Sequence, residues 1–157
     1  MPKWVKLAVV AAVALFVVAQ LVPKRVSNAA VQAEPPWDSP TTRKLAVTAC
    51  FNCHSNEVHV AWFERVAPLS WWIARHVDGG RRALNFSEFD PNRHRSGERI
   101  AHEVQEGTMP PAYYTWFLQH SEAKLSAADK DALIKGLTAT YGPAVGVVER
   151  KRGPGGD

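Results

Sequence analysis

The chain is poor in sulfur. It has two cysteines and two methionines in 157 residues, and one methionine is Met1. Two thiols cannot build the disulfide framework of a small secreted fold. It also lacks any second C-x-x-C, any internal repeat and any run of apolar–polar alternation, so zinc ribbons, solenoids and β-sandwiches have no footing. No acidic residue occurs before Glu34. Lys3, Lys6, Lys24 and Arg25 precede it, which leaves fifteen Lys and Arg against 15 Asp and Glu from that point on. The basic pI of about 9.3 therefore comes from the N-terminal flanks and gives no argument for a nucleic-acid partner.

What the chain does have begins at Leu7. Leu7 to Val22 (LAVVAAVALFVVAQLV) carries no charge and no polar face. A bilayer-spanning helix needs about 20 apolar residues and a signal-peptide core about 7–15, so the run falls between the two. Lys3 and Lys6 supply the positive flank that both require. A cleavage site at Val31-Gln32-Ala33 lies far beyond the run, across Pro23, Lys24 and Arg25. Length favours an uncleaved anchor over a removed signal, and either one takes the following residues out of the cytoplasm. The expected organisation is an anchor or signal segment over 1–25, a proline-containing linker over 26–38, a domain over 39–145 and a flexible tail over 146–157.

Within the domain the punctuation is helical. Ser39-Pro40 reads as an N-cap and first helical residue, with a helix through Ala49 into the cysteines. Ile73–Val77 reads as helix stopped by Gly79-Gly80. Residues 83–96 read as loop. Glu98–Glu106 reads as a short helix closed by Gly107, and Ser126–Asp129 as a capping box opening a last helix that Gly142-Pro143 ends. The expected fold is a small all-α domain with long ordered loops.

The two cysteines stand in Cys50-Phe51-Asn52-Cys53-His54. A disulfide between cysteines three apart closes a tiny loop and stabilises little. A thioredoxin-like pair expects a βαβ pattern that is absent. Zinc wants four ligands, and only His59 lies near enough to add one. The C-x-x-C-H spacing instead suits covalent haem. On a helical turn two thiols three apart face one side and reach both vinyl groups of one porphyrin. Each S–H adds across a vinyl group as a thioether, and the next residue turns its imidazole toward the iron.

Several stretches together carry a resemblance: CFNCHSNE (50–57), VAPLSWWIARHVDGGR (66–81), LNFSEF (84–89), GTMPPAYY (107–114) and the Leu125-Ser126 helix start. They resemble the bacterial haem-binding domain family, single-haem proteins related to c-type cytochromes, from Thr48 to Gly142. One departure is Phe89, where tryptophan is expected. The resemblance implies a cytochrome c-like helical domain wrapped around one haem c, exported or tethered to the bacterial inner membrane with the haem domain in the periplasm.

His54 is then the expected axial ligand on one side of the iron. Met109, on the proline-stiffened Met109-Pro110-Pro111 loop ahead of the last helix, is expected on the other, as in c-type cytochromes; a soft thioether raises the potential relative to a second imidazole. His76 is its rival among five further histidines. The Pro68 carbonyl is the expected acceptor for the second ring nitrogen of His54. Trp71, Trp72, Arg75, Asn85 and Tyr113 or Tyr114 are the expected polar contacts to the propionates. Phe51, Trp62, Leu69, Ile73, Phe86 and Trp116 are the expected apolar wall. These features suit an electron carrier working with a redox protein or membrane respiratory complex rather than an enzyme. The alternative is a haem sensor, a small-ligand binder or a structural accessory subunit.

Overall fold

A computed structural model describes residues 1–22, 24–116 and 120–146. Among them are seven α-helices, two 3₁₀ turns and no strand. The expected tail beyond Gly146 lies outside the described residues.

Helix α1 (Lys3–Gln20) has no buried residue and is long and apolar enough to cross a membrane, a test that a signal sequence also meets. Helix α2 (Pro40–Ala49) starts where expected. Ser39 Oγ accepts from the Thr42 amide at 3.2 Å and proline holds the first helical position, a cap that contributes about 1 kcal/mol. The helix does not run into the cysteine motif. Cys50 leaves helical geometry at φ −125°, and the motif forms its own turn, α3 (Phe51–His54).

Helix α4 (Leu69–Ala83) passes through the expected stop at Gly79-Gly80 and continues for three more residues. The glycine pair serves packing instead, as described below. Helix α5 (Gly97–Gln105) is capped by Ser96, α6 is the short Ala112–Trp116, and α7 (Ala127–Tyr141) is capped by Ser126. Gly107 and Gly142 follow α5 and α7 with φ of +73° and +57°, the left-handed conformation that glycine tolerates.

The core lies where α5 crosses α7. Ile100, Ala101 and Val104 meet Leu133, Leu137 and Tyr141, joined by Ala46, Phe51 and Phe86. The crossing is close: a Cβ on Gly97 would stand 2.5 Å from the Leu137 carbonyl oxygen. Phe89, at the position where tryptophan was expected, stacks on His94 (5.4 Å) and meets Tyr141 edge-on (5.7 Å).

The stretch read as a linker is laid along the domain. Its irregular backbone finds partners there. Gln32 and Ala33 donate to the Ser87 carbonyl and Phe89 donates to that of Ala33. Trp37 packs on Phe86 at 5.4 Å. Glu34 takes two bonds from Arg43 and one from the Trp37 indole, and the Arg43 guanidinium holds its carboxyl below the usual range.

The buried Tyr141 hydroxyl finds no hydrogen-bond partner among the described residues. An unsatisfied buried hydroxyl costs on the order of 1–3 kcal/mol. Tyr141→Phe is therefore expected to hold or raise the thermal midpoint; a clear fall would show that the hydroxyl has a partner in solution.

Candidate functional site

A cavity of about 640 Å³ opens between α3, α4, α5 and the 109–114 segment. Its size falls within the range of about 300–1,000 Å³ typical of cofactor sites. Cys50, Cys53 and His54 line one side. Met109, Pro110 and Pro111 line it from the loop after α5, and Tyr113 and Tyr114 from α6.

The α3 turn is placed by α4. A Cβ on Gly80 would collide with the Cys53 carbonyl, so only glycine lets the helix approach this closely. That contact explains why the glycine pair sits inside a helix. His54 is half-buried, and desolvation lowers its pKa against the opposing pull of the Leu84 and Gly80 carbonyls. Its Nδ1 lies 3.0 Å from the Leu84 oxygen. With Nδ1–H donated there, Nε2 keeps the lone pair a metal needs. Burial pushes the Cys53 thiol up to about 11, with Glu64 adding to the rise. Burial likewise pushes Cys50 up to about 12, so both sulfurs are thiols at neutral pH.

The methionine loop is tied to α5 by one residue. Glu103 accepts the Met109 amide at 3.0 Å through its carbonyl. It also accepts the Thr108 hydroxyl on that carbonyl (2.8 Å) and on its carboxylate (2.6 Å). Met109 remains 38% exposed. His76 faces the same cavity, packed on Trp72 at 4.0 Å and Tyr113 at 5.6 Å, with Nδ1 2.8 Å from the Trp72 carbonyl.

Several expected contacts fall elsewhere. The Pro68 carbonyl accepts the Trp71 and Trp72 amides at the start of α4, and Leu84 takes the place foreseen for it beside His54. Phe51 turns away from the cavity into the core, stacked on Phe86 at 5.3 Å, because the residue after the first cysteine lies on the far side of the turn. The Trp71 indole donates to the Val22 carbonyl at 2.7 Å. Asn85 bridges Asn56 and the Ser87 amide. Trp72 backs His76 from a smaller cavity that Ile73 also lines. Leu69 packs in that region, while Trp62 and Trp116 are 79% and 86% exposed. Of the expected set, Arg75, Tyr113, Tyr114 and Phe86 do line the main cavity.

Residues missed from the sequence complete the lining. Arg82, Arg95 and Arg99 join Arg75, and Ile100, Val104 and Leu137 form an apolar floor. The Gly79-Gly80 pair was the one available signal, since paired glycines inside a helix imply close packing.

The donor set fits a haem. Two adjacent thiols, one oriented imidazole and one thioether face an apolar cavity that also holds four guanidinium groups for acidic substituents. Among the described residues no three His, Cys, Asp or Glu side chains gather as a metal-ion site. Residues 14–139 match the model of the haem-binding domain family. The chain belongs to that family. Comparison with curated proteins and with solved structures returned no match. Members of this family are defined by the haem-binding domain, and the described cavity lies wholly within the matched residues.

Proposed function

We propose that this haem-binding domain protein is a membrane-tethered, periplasm-facing monohaem c-type cytochrome that passes single electrons to or from a redox partner. The observation that carries the reading is one cavity reached by the Cys50-x-x-Cys53-His54 turn and by the Met109 loop. Bound there, haem c supplies an iron that alternates between ferrous and ferric states. Cys50 and Cys53 would hold its vinyl edge by thioethers, and His54 and Met109 would supply the ligands to its iron. Leu84 fixes the imidazole through Nδ1. Glu103 holds the methionine loop, and Pro110 and Pro111 stiffen it. The arginines lining the cavity suit the propionates. A carrier of this kind needs no substrate pocket and no catalytic group. A membrane respiratory complex is the partner we favour, because the anchor keeps the domain beside one.

A second reading rests on the exposure of Met109 and the nearby His76. A displaceable thioether would suit a haem sensor, a small-ligand binder or an accessory subunit.

Near-infrared magnetic circular dichroism of the ferric protein, made in a host that matures c-type cytochromes, tests the assignment. The wild type is expected to give a low-spin methionine–histidine band that Met109→Ala abolishes. The mutant's potential is expected to fall by on the order of 0.1 V, within the range of about 0.8 V that axial ligands command. A bis-histidine spectrum in the wild type would make Met109 packing and His76 the ligand. A high-spin spectrum would favour the sensor.

A further inference from the structure

We infer that the haem domain is seated on the lipid headgroup layer, fixed to its own membrane helix by hydrogen bonds, with the 65–71 segment as the docking face. The inference rests on the tethered reading above and adds the surface the domain uses.

The first argument is length. Helix α1 has 18 residues, about 27 Å at 1.5 Å per residue. The hydrocarbon core is about 30 Å thick. A helix this short has no slack, so Gln20, Leu21 and Val22 must lie at the boundary between acyl chains and headgroups.

The second argument is what those residues hold. The Gln20 amide donates to the Ala67 carbonyl at 3.0 Å and accepts the Ala67 amide at 3.0 Å. The Trp71 indole donates to the Val22 carbonyl at 2.7 Å. The first joins the last residue of α1 to the segment just before α4, and the second joins the first turn of α4 to the chain just after α1. The chain beyond is also bound, with Asn28 exchanging hydrogen bonds with Val58 and Arg81 donating to the Ser27 carbonyl. Ala67 and Trp71 are thus brought to the boundary depth. An indole at that depth is where tryptophan is favoured, its ring apolar and its N–H satisfied.

Arg65 lies two residues before Ala67, no more than about 7 Å along the chain, and is exposed. It belongs within the headgroup layer. The cavity residues of α4 run from Arg75 to Ala83, at most about 21 Å along the helix from Leu69. The mount therefore sets how far the cavity stands from the lipid.

The test uses the full chain in phospholipid nanodiscs, with a nitroxide on Arg65→Cys or, as an aqueous reference, on Glu98→Cys. Label uptake by the protein without either substitution is the background. Oxygen is expected to relax the Arg65 label several-fold more effectively than a water-soluble nickel chelate does, with the order reversed at Glu98. Adding Gln20→Ala and Trp71→Phe is expected to make the Arg65 label several-fold more accessible to the chelate. Intact mass is measured on the same sample. If residues 1–33 are present and the Arg65 label behaves like Glu98, or ignores the double substitution, the docked mount is wrong while the tether stands. If residues 1–33 are absent, the tethered reading itself falls and takes the mount with it.

Discussion

Cys50→Ala/Cys53→Ala is expected to purify without covalent haem and to lose its cooperative thermal transition. The reason is the size of the cavity relative to the stability of the domain. An apolar void costs about 24 cal/mol per Å³ where the walls do not collapse. Were all of the about 640 Å³ closed and dry, that would be on the order of 15 kcal/mol, against about 5–15 kcal/mol of total stability for a domain. The cavity opens to solvent, so only part of that cost is borne. Water entering past the arginines relieves part of it, and rearrangement of the Met109 loop relieves more. The loop is the weaker side, since Met109 and Tyr113 are partly exposed while the α5–α7 crossing is closed. Far-ultraviolet circular dichroism is expected to retain helix, while near-ultraviolet signals and the melting cooperativity fade. A haem-free double mutant that melts sharply, with native near-ultraviolet signals, would show that the cavity is stable alone and that the cofactor is not a structural element.

Gly80→Ala should be the most damaging single change outside the motif. The added Cβ collides with the carbonyl of Cys53 and stands 3.3 Å from the Cys53 Cβ. A backbone carbonyl cannot rotate away like a flexible side chain, so α3 and α4 must separate. The α3 turn has four residues and little of its own to hold it in place. Its displacement moves both thiols and the imidazole together. Overpacking of this kind costs about 1–3 kcal/mol in stability, and the loss in haem attachment is expected to be larger, several-fold by pyridine haemochrome assay. The neighbouring glycine marks the contrast: a Cβ on Gly79 meets nothing of the protein nearer than the Arg82 guanidinium at 4.0 Å, so Gly79→Ala is expected to leave the fold intact. Wild-type haem content in Gly80→Ala would mean that the two helices are not locked as described.

Reading the residues in order was enough for the features that consecutive residues encode. Ser39-Pro40, Ser126 and Gly142 mark helix ends because capping acts within one turn of chain. The Leu7–Val22 run declares its length, and Cys50, Cys53 and His54 stand out by their spacing, because one helical turn presents them together. Met109 was legible as the only internal methionine on a proline-stiffened loop.

Tertiary structure decided everything that depends on which distant segments meet. Gly79-Gly80 looked like a stop from local propensity, and the packing of α4 on the motif turn made it part of a helix. The carbonyl beside His54 belongs to Leu84, thirty residues on, and not to Pro68. Trp71 holds the end of the N-terminal apolar helix through Val22, 49 residues back, and does not serve the cavity. Arg82, Arg95 and Arg99 carry no motif of their own, and they line the cavity only because α4, the following loop and α5 converge. A hydrogen bond or a cavity wall reports proximity in space. Sequence order holds that information only within a turn or two, and beyond that the fold alone supplies it.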